Sequence, residues 1–274
     1  MNKNDSMVRF MYSTLPGRIL LKFIQTLRFD RVIVAFLRSP LSKPYMIRYA
    51  RRHEIPLTRE QANQFRTYRN FFLRQRDDLQ IDPDPDHFIS PCDSLLSAYT
   101  IDENSSFSIK GSRYRVCDLL EDESLAKKYE GGICLIFRLC ASDYHHYCYI
   151  DNGYQGEHHF IPGVLHSVQP IACETVPVFT LNRRSWCLLE TEHFGPVVQT
   201  EIGALVVGGI VNAKENCSFV RGEEKGHFDL SGSTISLLLE PGRICLRPEL
   251  LSVLDSGEES RVTLGQWIAY AKID

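Results

Sequence analysis

The sequence predicts an α+β protein, with a helical N-terminal segment set on a mainly antiparallel, β-rich core. Apolar residues recur at helical spacing ahead of residue 80. A proline- and aspartate-rich stretch, Ile81-Asp-Pro-Asp-Pro-Asp86, then interrupts the pattern. Short runs rich in β-branched and aromatic residues follow it, punctuated by Gly, Pro or Asn. The expected division is therefore a helical, basic segment over 1–80 and a core over 81–274.

In chain order, residues 11–76 read as helical. Ile19, Leu20, Phe23, Ile24 and Leu27 form one stripe, with Arg18, Lys22 and Arg28 between them. Val32 to Leu37 forms a second run ending near Pro40, a third helix covers Pro44 to Arg52, and a fourth covers Arg59 to Arg74 behind Thr58. Beyond residue 86, strands are expected at Phe107-Ser-Ile-Lys, Ile133 to Phe137, Tyr147 to Ile150, Val178 to Leu181, Trp186 to Leu189, Val197 to Glu201 and Ile235 to Leu239. Gly203 to Val211 reads as a buried, glycine-rich strand, because nine residues are far too few for a membrane span.

Composition bounds the class. Hydrophobic residues make up 43% and charged residues 24%, which excludes wholesale disorder. The net charge of −3 hides an asymmetry: residues 1–53 hold eleven Lys and Arg against Asp5 and Asp30 alone. An apolar stripe with a basic fringe suits a helix lying in a membrane interface, and equally a helical cap with solvated arginines. Nine cysteines, odd in number and without a Cys-x-x-Cys, suggest a reduced, intracellular chain. No apolar signal region opens the sequence, and nothing in it suggests nucleic-acid binding.

The stretch that carries chemistry runs from Arg221 to Gly242 and contains Ser231-Gly-Ser-Thr234 ahead of an apolar strand. A Gly-Ser bond at a tight turn suits an N→O acyl shift. Glycine leaves its carbonyl open and tolerates a strained backbone, and the serine hydroxyl can reach that carbonyl. A Ser/Thr turn leading into a strand is the plainer reading of the tetrad standing alone.

The tetrad does not stand alone. It resembles the self-cleavage motif of the phosphatidylserine decarboxylases, flanked by Gly-Glu-Glu-x-Gly-x-Phe and Leu-Leu-x-Glu-Pro-Gly as in that family. Ser90-Pro-Cys-Asp93 resembles the family's Ser-Pro-x-Asp-Gly, and Arg138-Leu-x-x-x-Asp-Tyr-His145 its counterpart. Gly163-Val-Leu-His-Ser-Val168, Asn182-Arg and Glu192-His-Phe-Gly-Pro196 fall in family order, and Thr14-Leu-Pro-Gly-Arg and Arg38-Ser-Pro-Leu-Ser resemble its leader. The resemblance covers nearly the whole chain and is to a bacterial, clostridial-like type.

It implies a proenzyme cleaved between Gly232 and Ser233 into a β chain, 1–232, and an α chain, 233–274. The two would form a heterodimer, with a homodimer of such pairs open. Ser233 would become a covalent pyruvoyl group, the cofactor, whose carbonyl forms a Schiff base with phosphatidylserine. The reaction would yield phosphatidylethanolamine and CO₂. Asp93 would relay charge in the autocleavage, and His145 would transfer the proton to the product carbon. Arg138 is a candidate contact for the lipid phosphate, or the partner of an internal carboxylate. The implied location is peripheral, on the cytoplasmic face of the membrane, against an anionic surface.

Two departures stand out. Ser94 replaces the family's glycine after the aspartate. Cys148 occupies the position of the family's relay histidine, in Asp143-Tyr-His-His-Tyr-Cys148. Cys148 is activated, or His146 or His166 substitutes, or cleavage is slow. No metal is expected: His145, His146, His158 and His159 lack the acidic or thiol spacing of a recognisable site. Competing readings are a pyruvoyl decarboxylase of another serine lipid or an amino acid, a serine hydrolase built on Ser233, and a non-cleaving membrane-binding relic. The hydrolase lacks the Gly-x-Ser-x-Gly elbow.

Overall fold

A computed structural model describes residues 3–26, 30–109, 112–204, 209–230 and 233–272. Six helices come first: α1 (Lys3–Ser13), α2 (Leu15–Thr26), α3 (Asp30–Arg38), α4 (Lys43–Arg52), α5 (Arg59–Gln64) and α6 (Tyr68–Phe72). The helical expectation starts too late, because α1 begins eight residues ahead of position 11. Thr14 Oγ1 accepts the Gly17 N–H at 3.1 Å and so caps α2. A Cβ at Gly17 would meet the Phe10 carbonyl oxygen at 2.0 Å, so only glycine lets α2 close onto α1 there. The Thr-Leu-Pro-Gly segment is thus a tight helix–helix corner.

The single helix expected over Arg59 to Arg74 is two. Phe65 is extended (ψ 113) and Thr67 caps α6 by accepting from the Asn70 N–H. A second capping threonine outweighed continuous helical propensity.

The strands are β1 (His87–Ile89), β2 (Ser94–Thr100), β3 (Ser106–Ile109), β4 (Ser112–Arg115), β5 (Ile133–Leu139), β6 (His146–Cys148), β7 (Gly153–Gln155) and β8 (His159–Ile161). They continue with β9 (Arg184–Thr191), β10 (Gly195–Gly203), β11 (Gly209–Asn212), β12 (Cys217–Phe219), β13 (Glu224–Asp229), β14 (Ser233–Leu239), β15 (Ile244–Leu246), β16 (Ser260–Val262) and β17 (Trp267–Ala271). All pairings between them are antiparallel. The architecture is α+β, as the sequence predicts.

The main sheet has nine strands, in the order β12-β7-β9-β10-β14-β5-β2-β16 with β8 beside β9. Strand alternation sends Leu135, Phe137, Ile235 and Leu237 to one face and Cys134, Ile136 and Leu238 to the other. The first face packs on the small sheets β1-β17-β15 and β11-β13-β6 through Phe88, Tyr147, Phe228 and Ile268. The second packs on β3-β4, short helices and Val8, Met11 and Tyr12 of α1. With both faces buried, the central strands read as continuous apolar runs.

Two expected strands differ. Val178–Leu181 is a turn of helix, entered from Pro177, whose carbonyl accepts the Thr180 and Leu181 N–H groups. Its β-branched composition mimics a strand over a span too short to show a period. Residues 205–208 of the expected Gly203 to Val211 strand lie outside the described residues. The ends belong to different strands: Gly203 closes β10, and β11, paired with β13, leaves Val211 exposed.

A third cluster joins the helices to the core just before the proposed cleavage position. Leu37, Met46, Ala50, Tyr68, Phe71 and Phe72 enclose Leu230. Asp229 beside it takes Arg38 and Arg69, each at 2.9 Å.

Candidate active site

Ser233 opens β14 fully buried, opposite Gly203 of β10 and Leu139 of β5. Its hydroxyl has no hydrogen-bond partner among the described residues, and neither has that of Thr234. A buried hydroxyl left unpaired costs about 1–3 kcal/mol, and such a cost is tolerated where the group has other work. Ser233 shares the face of Ile235 and Leu237, towards β6 and β13; Thr234 faces the opposite core. Gly232 and Ser231 lie outside the described residues, but Leu230 ahead of them has φ 62, an unfavourable left-handed conformation for a leucine.

The remaining candidates converge along β5 and its exit. Leu139 faces Ser233, and the chain then turns through Asp143 to His145. Asp143 holds that turn by accepting the Cys140 N–H at 2.7 Å and both terminal nitrogens of Arg261, at 2.5 and 3.0 Å. His145 is fully buried, with Nδ1 2.9 Å from the Asp143 carbonyl oxygen. A carbonyl only accepts, so Nδ1 carries the proton and Nε2 offers a lone pair. Nε2 is buried without a partner among the described residues. Burial pushes the imidazole down to about 4, so it is neutral at pH 7. Phe72 of α6 lies tilted against the ring at a 4.2 Å centroid distance, making the helical segment a wall of the site.

Asp93 lies on the far side of β5, just before β2. Leu95 pairs with Arg138, which pairs with Thr234, so Asp93 and Ser233 are two strand spacings apart, about 10 Å. Its carboxylate accepts the Leu264 N–H and the Arg76 guanidinium, both at 2.8 Å. Ser233 is not among those partners.

Cys148 sits in the apolar cluster on Ser233's side of the sheet, its N–H bonded to the Pro91 carbonyl two residues before Asp93. Burial pushes its thiol up to about 12, against a smaller opposing effect of Arg221, so it is neutral and a poor proton acceptor.

His146 reaches Glu224 through Nδ1 at 2.9 Å, and His227 is its ring neighbour at 5.0 Å. Among the described residues this trio is the His/Cys/Asp/Glu group whose ligand atoms all lie within 4.8 Å of one another. The other histidines that sequence reading set beside it are elsewhere: His158 bonds Gln155 and the Lys214 carbonyl, and His159 stacks on Trp186. His166 bonds the Tyr12 hydroxyl at 3.1 Å. Arg138 is held by both oxygens of Glu259, an internal carboxylate of the kind sequence reading set beside the lipid phosphate as its partner.

Sequence reading passes over Phe72, which lies against His145, and Arg261 and Arg76, which hold Asp143 and Asp93; Asp143 enters it only as part of its motif. It also passed over the wholly buried Lys225–Glu201 pair, 2.7 Å apart, one strand pair along from Ser233.

Comparisons with known proteins bear on the family. The family model described as phosphatidylserine decarboxylase matches residues 68–270. The chain is 36% identical over 267 residues to phosphatidylserine decarboxylase proenzyme 2 of Clostridium acetobutylicum, covering 96% of this chain and 91% of that one. It is 32% identical over 276 residues to a phosphatidylserine decarboxylase proenzyme of Clostridium botulinum, with 98% and 94% covered. The counterpart from Desulfitobacterium hafniense is 33% identical over 270 residues, with 96% and 91% covered.

Proposed function

The chain belongs to the phosphatidylserine decarboxylase family, and from that premise we propose that it decarboxylates phosphatidylserine with a pyruvoyl group that it makes from its own Ser233. The observation that carries this reading is the buried Ser233 hydroxyl at the head of β14, without a partner among the described residues. That oxygen adds to the carbonyl carbon of Gly232, and the C–N bond between the two residues breaks to leave an ester. Elimination of the ester and hydrolysis with loss of ammonia leave the pyruvoyl end.

The pyruvoyl carbonyl supplies the electron sink through which the substrate's α-carbon loses CO₂. This chain's residues do the rest. His145, neutral and with Nε2 open, takes a proton from the reacting amine and returns it to the carbon. Asp143 fixes that tautomer through its backbone carbonyl, and Phe72 keeps water from the ring. Asp93 acts in maturation through an intermediary that is not the neutral Cys148 thiol.

The product is a heterodimer of chains 1–232 and 233–274, held by β14 between β10 and β5. Helices α1–α3 expose Met7, Phe10, Leu15, Ile19, Leu20, Phe23, Val32 and Phe36 among basic residues, which supports peripheral binding to an anionic membrane at its cytoplasmic face. No helix among the described residues is long and apolar enough to cross a membrane. The test is CO₂ release from phosphatidylserine vesicles. Wild-type protein releases it and Ser233→Ala does not; equal release from both would overturn the reading.

A further inference from the structure

We infer that the cavity between the leader helices and the 163–176 loop is the subsite for the phosphodiester of the lipid substrate, with Arg18 as its charge partner; this rests on the decarboxylase reading above. The cavity is about 380 Å³, and Tyr12, Arg18, Leu21, Lys22, His166 and Val176 are among its walls. That size and mixture, apolar sides with a few convergent polar groups, suit a small-molecule group. Two cationic side chains line it and no carboxylate does.

Arg18 is set for the task. Its Nε donates to the Tyr12 carbonyl at 2.9 Å, which fixes the guanidinium plane. Arg38, Arg69, Arg76, Arg138 and Arg261 are each tied to an acid, whereas no carboxylate pairs with Arg18 among the described residues. A guanidinium without an internal acid, beside a cavity, matches the fork geometry of a phosphate. His166 adds a neutral donor. The Tyr12 hydroxyl accepts the Ser167 N–H at 2.9 Å and lies 3.1 Å from His166 Nδ1; on this inference its own proton turns to Nδ1 and Nε2–H faces the ligand. Burial holds the ring's basicity down, so it stays in that form.

The cavity is tied to the reacting serine by hydrogen bonds. Asn182 accepts the His166 N–H at 2.8 Å, and its side-chain amide donates to the His166 carbonyl at 2.9 Å and the Gly203 carbonyl at 2.7 Å. Gly203 is the residue paired with Ser233. On the opposite side, Ile19, Leu20 and Phe23 of the same helix are exposed, where acyl chains would lie. In the substrate the phosphodiester joins the serine headgroup to the glycerol that carries the chains, and the cavity lies between the hydrogen-bonded path to Ser233 and the exposed apolar face of α2.

The test uses dihexanoylphosphatidylserine below its micelle concentration, so that attraction to a charged surface plays no part. Arg18→Gln raises KM about tenfold, the scale of one charged hydrogen bond, while kcat and chain cleavage stay at wild-type values. Arg18→Lys recovers part of the loss, and Arg9→Gln, on the same leader but away from the cavity, changes nothing. Calorimetry on the Ser233→Ala protein reads binding without turnover. Dihexanoylphosphatidylcholine, which differs from the substrate only in its headgroup alcohol, binds about tenfold more weakly once Arg18→Gln is added. Unchanged KM and unchanged binding in Arg18→Gln overturn the inference. Inorganic phosphate binding as tightly as the lipid also overturns it, making the cavity a free-anion site. If wild-type protein releases no CO₂, the decarboxylase reading fails instead, and calorimetry still decides the subsite.

Discussion

His145 makes stability depend on pH in a way that can be isolated. The ring is fully buried and neutral, with burial the largest cause of its lowered basicity, to about 4 against about 6.5 for an exposed histidine. The sign follows from proton counting. Between those two values the unfolded chain binds a proton that the folded chain refuses, so stability rises with pH across the window. This contribution is fully present above about pH 6.5 and is lost as pH falls towards 4, by about 3 kcal/mol at 1.36 kcal/mol per unit. The assay is urea unfolding of the uncleaved Ser233→Ala chain at intervals from pH 4 to 7.5, compared with Ser233→Ala/His145→Gln. Carboxylates titrate in both proteins and cancel in the difference. The His145 chain should lose about 3 kcal/mol more than its partner on acidification. A difference that stays flat with pH would mean that the ring is solvated or charged when folded. The role given to its Nε2 lone pair would then fall.

Three further outcomes follow from the same geometry. Cys148→His should speed chain cleavage or leave it unchanged, and should not lower CO₂ release per pyruvoyl group; Cys148→Ala abolishing cleavage would make the thiol part of the relay after all. Arg69→Ala, which removes one of the two clamps on Asp229 ahead of the left-handed Leu230, should slow cleavage about threefold. The effect is small because the guanidinium is 37% exposed, where such pairs contribute under about 1 kcal/mol; a cleavage time course at wild-type rate would show that the clamp does not shape the bond. Binding to anionic vesicles should weaken as salt rises, since screening acts within about 8 Å at physiological ionic strength, and binding that is equal on neutral and anionic vesicles at every salt level would remove the electrostatic component.

Much of this molecule is legible in its sequence because its main strands are buried on both faces and written as apolar runs. Ile133 to Phe137, Trp186 to Leu189, Val197 to Glu201 and Ile235 to Leu239 all fall within strands of the main sheet. Legibility fails where the span is a single turn, as at Val178–Leu181, or where a second cap interrupts a good helix pattern, as at Thr67. The motifs point to Ser233, His145 and Asp93, but their spacing says nothing about the gap between Asp93 and Ser233. That gap is set by the order β14-β5-β2, a property of topology. Nor does the sequence reveal that Phe72, from the leader, lies against His145, or that Asn182 joins the 163–176 loop to Gly203. Both contacts are long-range, between residues with ordinary local patterns.

On the proposed reading the Ser233 hydroxyl, buried and without a partner among the described residues, breaks its own chain. Intact-mass measurement of the purified protein, with sequencing of the smaller fragment, tests it most directly. Two chains are expected, the smaller of 42 residues (274 − 232) beginning at position 233. Its end should be blocked to Edman chemistry, because a pyruvoyl group has no amine, while Ser233→Ala should remain one chain. A wild-type preparation that stays a single intact chain and still decarboxylates phosphatidylserine would contradict it.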